Sequence, residues 1–338
     1  MRLLVPFLAL TMAVAATSAS RQEVSSAAIA GAQNPPALSA FGFFEGDVSR
    51  PSPKLIPYRL RTPLFSDYAD KQRFIYVPEG GKIKSDAAGK LLFPLGTALI
   101  KSFGYPGQDG RFHVLETRVL LHRTEGWVAL PYVWRADRSD ADLRVGGTRI
   151  PVEFAHGGSR ASISYAVPNK NQCKQCHSSG DKIMPIGPQW QNMEFDRKSD
   201  RDRILKDLPQ LARLPGMAKW DDAAKSTLDE RARSYLKVNC GHCHAPKGSA
   251  SNSGLFLDGS ARDAAAYGIG KRPVAAGRAS GDLDFIIEAG RPDRSILISR
   301  MKSTDPGIAM PELGRAMVHD EGVKLLEDWI SAMPHGRY

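Results

Sequence analysis

Beyond its first twenty residues, this chain of 338 has no long apolar run. No later segment carries the roughly 20 apolar residues needed to cross a bilayer, so no transmembrane segment is expected. There is no block of Lys and Arg and no basic patch interleaved with aromatics, which argues against nucleic acid. The glycines of "GRASGD" and "LRVGG" sit in turns and make no dinucleotide fingerprint. The acidic pairs Asp140/Asp142 and Asp221/Asp222 have nothing that places them beside a substrate, and they read as solvated charges. Cysteine is the scarcest resource. Only four occur, and all fall in two Cys-x-x-Cys pairs, Cys173/Cys176 and Cys240/Cys243, each followed at once by a His.

The start, "MRLLVPFLALTMAVAATSAS", reads as a secretory signal over residues 1–20: Arg2 is the charged head, Leu3 to Ala16 the apolar stretch, and small residues follow. The mature protein is therefore expected to be exported, to a bacterial periplasm. The formal net charge of +10 suits a partner of opposite sign, an acidic redox protein or an anionic membrane face.

Export sharpens the cysteine question. An oxidising compartment allows two disulfides. Zinc ribbons also use paired cysteines, usually about 15–20 residues apart, far closer than these pairs lie. Neither needs a His after each pair. Covalent c-type haem uses every element, with Cys173, Cys176, Cys240 and Cys243 as thioethers and His177 and His244 as proximal iron ligands. Two covalently bound haem c groups are expected.

The chain divides by pattern. Residues 21–40, rich in Ala, Ser and Pro, read as a flexible leader. Residues 41–196 read as a β-rich unit carrying the first pair, with runs such as "LLFPLGTALIKSF", "FHVLETRVLLHR" and "GWVALPYVW" separated by turn signals. Residues 197–227 read as a connector. Residues 228–338 read as an all-α unit carrying the second pair. A helix through "LDERARSYLKVN" leads into Cys240, and a final amphipathic helix shows Val323, Leu326, Ile330 and Met333 on one face, with Asp320 as its N-cap. The fold class expected is α+β.

The second iron has an obvious far-side candidate. Met310, in "GIAMPELG", offers a soft thioether from a Pro-flanked loop well downstream. Met301 continues an apolar run and reads as core, and Met317 lies nearer the final helix. His242, between the cysteines, is expected at the surface. The first iron has no such candidate. Met184 in "KIMPIGP" follows His177 by about seven residues, at about 3.3–3.6 Å each just enough to round a macrocycle. Met193, His113, His122 and His156 are further choices, and an open or water-bound site is another.

Most of the chain resembles a family of exported dihaem c-type cytochromes of uncharacterised role. The carrying stretches are "TPLFSDYADKQRF", "FPLGTALIKSF", "LETRVLLHRTEGWVALPYVW", "YAVPNKNQCKQCH", "PIGP", "RARSYLKVNCGHCH" and "MPELG". The resemblance implies two covalent haems, redox function and, as a partner, a parallel β-helix repeat protein. The last 110 residues or so resemble a class I cytochrome c domain. "FPLGTALIKSF", then "GW" and a late Cys-x-x-Cys-His, are similar in order to the cytochrome P460 and β-type cytochrome c-prime group. That group carries one c haem on an antiparallel sheet with an open distal face, which would put Lys101, Arg118 or His122 in a distal pocket. As ordinary residues these three would be charges on the solvent side of strands.

The function expected is electron transfer between periplasmic redox partners. The alternatives are a P460-like oxidase or gas-binding site on the first haem and a dihaem peroxidase. A peroxidase would have its first motif early, in a small helical domain, and here a β-like region comes first.

Overall fold

The structure, a computed structural model, describes residues 23–107, 109–180, 182–275 and 277–334. The expected signal segment lies outside the described residues. None of the described helices is long and apolar enough to cross a membrane.

The segment expected as a flexible leader is folded from residue 23 on. Helix α1 (Ser26–Ala30) is capped by Ser25, and its Ile29 is fully buried. Arg123 fastens it, donating from Nε to the Ile29 carbonyl at 3.0 Å and from Nη1 to Asn34 Oδ1 at 2.8 Å.

The strands run in chain order as β1 (Ile56–Pro57), β2 (Arg59–Leu60), β3 (Asp70–Tyr76), β4 (Lys84–Ser85) and β5 (Leu91–Leu92). The longer β6 (Ala98–Pro106), β7 (Phe112–Arg123) and β8 (Gly126–Trp134) follow, then β9 (Ala141–Leu143), β10 (Thr148–His156) and β11 (Ser159–Val167). Three short pieces, β12 (Ser178–Ser179), β13 (Lys182–Ile183) and β14 (Met193–Glu194), complete the set. A six-stranded antiparallel sheet in the order β1-β3-β6-β7-β8-β9 dominates the fold, and β10 and β11 form a separate hairpin.

Alternation along each strand gives the sheet two unlike faces. One carries Phe74, Tyr76, Ile100, Val119, Leu121, Leu130 and Tyr132, which pack with Ile29, Leu38, Phe41 and Phe43 into an apolar core. Each large side chain buried there contributes roughly 1.5–3 kcal/mol.

The other face is banded by register. An apolar row, Ile75, Leu99 and Leu120, runs across β3, β6 and β7. Beside it runs a cationic row, Arg73, Lys101 and Arg118, and then Lys71, Phe103 and Glu116. The apolar row belongs to a second core closed by Ile204, Leu208 and Leu211. These come from α3 (Lys198–Leu205) and the turn after it, so the expected connector is part of this core. Phe103 belongs to a third core closed by the β10–β11 hairpin. The cationic row lies between two dry regions.

Helix α2 (Lys170–His177) carries the first Cys pair and packs, with β13, against β8. It starts where it does because Asn169 and Gln172 form a reciprocal capping box just after Pro168. Helix α4 (Leu228–Asn239) starts on the same device, Thr227 with Glu230, and delivers Cys240 at its C-cap.

The expected all-α class I cytochrome c domain is not what the chain builds. The protein is β-rich, with six short α-helices among the described residues. From residue 228 on these are α4, α5 (Ile296–Lys302) and α6 (Asp320–Ser331), of 12, 7 and 12 residues. Between Cys240 and Ser295 the described chain is turns, 3-10 segments and the isolated parallel bridges Ile269↔Ile287 and Phe285↔Ser295. The cause is composition: Gly248, Gly254, Gly259, Gly268 and Gly270 with Pro246 and Pro273 stop helices from propagating. The final helix does present Val323, Leu326 and Ile330 to a core shared with α4. Its N-cap is His319, whose ring turns inward, and not Asp320.

The two halves are clasped through residues 62–69. Phe65 N–H donates to Asn239 Oδ1 at 2.8 Å, just ahead of Cys240. Asp67 accepts from the backbone N–H of Ala316 and Met317 at 2.7 and 2.8 Å. The Phe65 ring stacks on His319 at 4.2 Å, and Tyr235 joins His319 through its hydroxyl at 2.9 Å.

Candidate functional site

The two Cys-x-x-Cys-His motifs, 67 residues apart in sequence, meet in space. The Cys176 and Cys243 thiols adjoin, and their mutual interaction pushes Cys176 up and Cys243 down. The backbones touch as well, with Gly180 N–H donating to the Lys247 carbonyl at 3.2 Å. All four cysteines are free. Burial raises the thiol pKa at Cys173 and, to about 12, at Cys240.

Each motif histidine is turned the same way. His177 Nδ1 lies 3.0 Å from the Met184 carbonyl, which can only accept, so Nδ1 holds the proton and Nε2 keeps its lone pair. His244 Nδ1 lies 3.2 Å from Ser253 Oγ, and that hydroxyl already donates to the Ala250 carbonyl at 2.7 Å. Its oxygen therefore accepts from His244, and Nε2 is again free. Burial holds His177 down to about 4 and lowers His244 too, so both imidazoles are neutral at neutral pH. A neutral ring with one nitrogen committed and the other bare is the form that ligates iron. The residues fit two c-type haems on this count.

The same bond locates Met184. Its carbonyl holds the back of the His177 ring, and its N–H donates to the His177 carbonyl at 2.8 Å. Its side chain is partly buried against the second core. Met193 is buried in the second core. His113 pairs with Asp109 at 3.1 Å, His122 stacks on Trp127 at 4.5 Å, and His156 packs on the Tyr68 ring at 3.8 Å. None of these three touches the first motif among the described contacts.

What does face the first motif is the cationic row. Lys101 and Arg118 both act electrostatically on His177, and Arg118 and Glu116 act on Cys173. Lys101, deeply enclosed yet with some accessible surface, lies over the Phe103 ring at 4.5 Å beside Arg118 at 4.1 Å. These two thus lie enclosed on the sheet face beside the first motif and are not solvent-side charges, while His122 lies elsewhere. Sequence reading missed Arg73 and Lys71. The signal was present in "DKQRF", where both fall on the strand face opposite Phe74, but alternation alone did not say which face met the motif.

At the second motif, Met310 is half-buried in a loop held by its backbone. Its N–H donates to the Arg300 carbonyl at 3.0 Å. Arg315 Nη2 donates to the carbonyls of Met310 and Ser303 at 3.0 and 2.7 Å. Arg300, whose carbonyl holds Met310, is among the charges that lower the His244 pKa. Met301 is core as expected, and Met317 packs against the third core. His242 is half-buried, its Nδ1 enclosed without a partner, between the two motifs; it is not the surface residue expected. Ser253, which orients His244, had no sequence signal at all.

Among the described residues, no group of three or more His, Cys, Asp or Glu converges on a metal-ion site. A surface cleft of about 450 Å³ near Arg59, Trp190 and Lys219 is lined by neither motif. No family model, curated protein or solved structure matches this chain.

Proposed function

We propose that the chain is a dihaem c-type electron-transfer protein whose two attachment sites adjoin. The observation that carries this is the meeting of the two motifs, each with its histidine oriented to leave Nε2 free. A covalently held haem supplies one-electron redox chemistry at each site. The chain's own residues do the rest. Cys173, Cys176, Cys240 and Cys243 would anchor it, His177 and His244 would ligate it, and the Met184 carbonyl and Ser253 hydroxyl fix those two rings. Arg315 holds the loop that carries Met310, whose thioether would complete the second site. Adjoining sites suit passage of electrons from one to the other, and a net charge of +10 suits an acidic partner at the surface. The resemblance to exported dihaem cytochromes points the same way, including a periplasmic location.

The test is a pyridine haemochrome count on protein made with c-type haem maturation, followed by an optical redox titration. Two haems per chain, both redox-active, are expected. Absence of covalent haem would end this reading.

A second reading keeps the first site open to a small molecule, as in P460-like proteins. It is favoured by Lys101 and Arg118 lining the sheet face beside His177. Carbon monoxide titration of the reduced protein separates the two: half the haem binding supports an open first iron, and none supports a pure carrier.

A further inference from the structure

The cationic row has a charge imbalance that the relay does not use. Glu116, in the neighbouring row, is the carboxylate beside it. It is fully buried and already taken: Arg118 grips both of its oxygens, and the Tyr165 hydroxyl donates to Oε1 at 2.6 Å. The pairing of Glu116 with Arg118 leaves Lys71, Arg73 and Lys101 without a counter-charge. Lys101 makes no hydrogen bond or ion pair among the described residues. Its ammonium rests only over the Phe103 ring. Lys71 donates to the Ala69 carbonyl at 2.7 Å and to no acid. Arg73 is 6% exposed, and its Nη2 is enclosed without a partner. Of the other acids that act on Lys71, Asp70 is exposed at the strand end and Asp67 is occupied by two backbone N–H groups.

Like charges gathered in a poorly hydrated place repel, and burying a guanidinium with an unused donor is costly. Burial and the neighbouring Arg73 hold Lys71 down to about 7, the same imbalance seen another way. Cross-strand register makes the arrangement rigid, since Arg73, Lys101 and Arg118 are consecutive partners on three paired strands. An aromatic floor and convergent donors suit a flat acceptor carrying negative oxygens.

We infer that Arg73, Lys101 and Lys71, over Phe103, form a binding site for an anion with carboxylate-like oxygens. Two sources have that chemistry: a free small oxyanion, or the carboxylates of a haem held at Cys173 and Cys176. The second source rests on the dihaem reading, whereas the site itself rests on the sheet alone.

The test uses the full-chain protein and three samples: the wild type, K101M, which keeps the stem over Phe103, and R73Q. Each is titrated calorimetrically with nitrite as the free oxyanion, and haem is counted on the same samples. Uptake of about one nitrite per chain, weakened about tenfold or more in both variants, supports a free oxyanion. Lack of uptake in wild type, with the haem-carboxylate bending bands of the resonance Raman spectrum shifted in both variants, supports the haem carboxylates. Nitrite uptake that both variants retain overturns the site, as does neither uptake nor a Raman shift. A haem count of zero removes the dihaem reading, while the nitrite arm still decides the site.

Discussion

The two Cys-x-x-Cys-His motifs are alike in sequence and unlike in surroundings. The first sits on α2 against a β-sheet, its histidine oriented by a carbonyl only seven residues on and facing a row of cations. The second ends α4 beside a helical core, its histidine oriented by a serine hydroxyl, with a methionine loop pinned by arginine nearby. The motif sets what can be attached, and the surroundings set what each site then does. A cationic, enclosed face invites an anion or small ligand, whereas a thioether loop closes a site and raises its potential.

The comparison can be broken most forcefully at the anchors. Replacing Cys173 and Cys176 by Ala, or Cys240 and Cys243 by Ala, is expected to remove one haem per chain in each case, read by haemochrome count. Loss of both from either pair would mean the sites are not separate attachments. Met310→Ala should lower the potential of one haem only, on the order of 0.1–0.3 V within the ~0.8 V range that axial ligands span. Spectroelectrochemistry reads it, and a fall in both potentials would tie Met310 to neither site in particular.

Acid should separate the halves before it melts the sheet. Burial holds His319 down to about 4 from an ordinary 6.5, so the folded state binds its proton less readily than the unfolded chain. The stability it contributes is full above about pH 6.5, falls as pH drops towards 4 and levels off below, with up to ~3 kcal/mol at stake. His319→Phe should flatten that part of the stability profile, measured by denaturant melts across pH. An unchanged acid limb would locate the sensitivity elsewhere.

Smaller effects sharpen the local contrast. Gly248 lies against the loop of the second motif, where an added Cβ would come 2.1 Å from the Cys243 carbonyl oxygen. Gly248→Ala should cost about 1–3 kcal/mol by overpacking, seen as a lowered denaturation midpoint. The two capping boxes give the mildest test. Asn169→Ala and Thr227→Ala should each cost about 1 kcal/mol. The first should disturb the spectrum of the first haem and the second that of the other.

Much of this was legible in the chain. The β runs announced β6, β7 and β8 because alternation writes a half-buried strand directly. The motif residues suggested haem chemistry because few other uses need two cysteines and a following histidine, and that chemistry is our proposal. The helical domain was misread because the caps of α4 and the apolar face of α6 are local signals, while the glycine-rich chain between them was passed over. The Ala- and Ser-rich leader looked uncommitted because Ile29 and Leu38 are single apolar residues whose burial depends on a sheet far along the chain. The meeting of Cys176 with Cys243 and the clasp of Phe65 with His319 are contacts over long separations. No local pattern encodes them.

The central claim is that adjoining motifs hold two covalent haems, and denaturing whole-protein mass measurement tests it most directly. Protein made with c-type haem maturation should carry the mass of the chain plus two haems, with no thiol left to alkylate. A haem-free chain lighter by two hydrogens, with Cys176 joined to Cys243, would contradict the account and make the meeting of the motifs a disulfide.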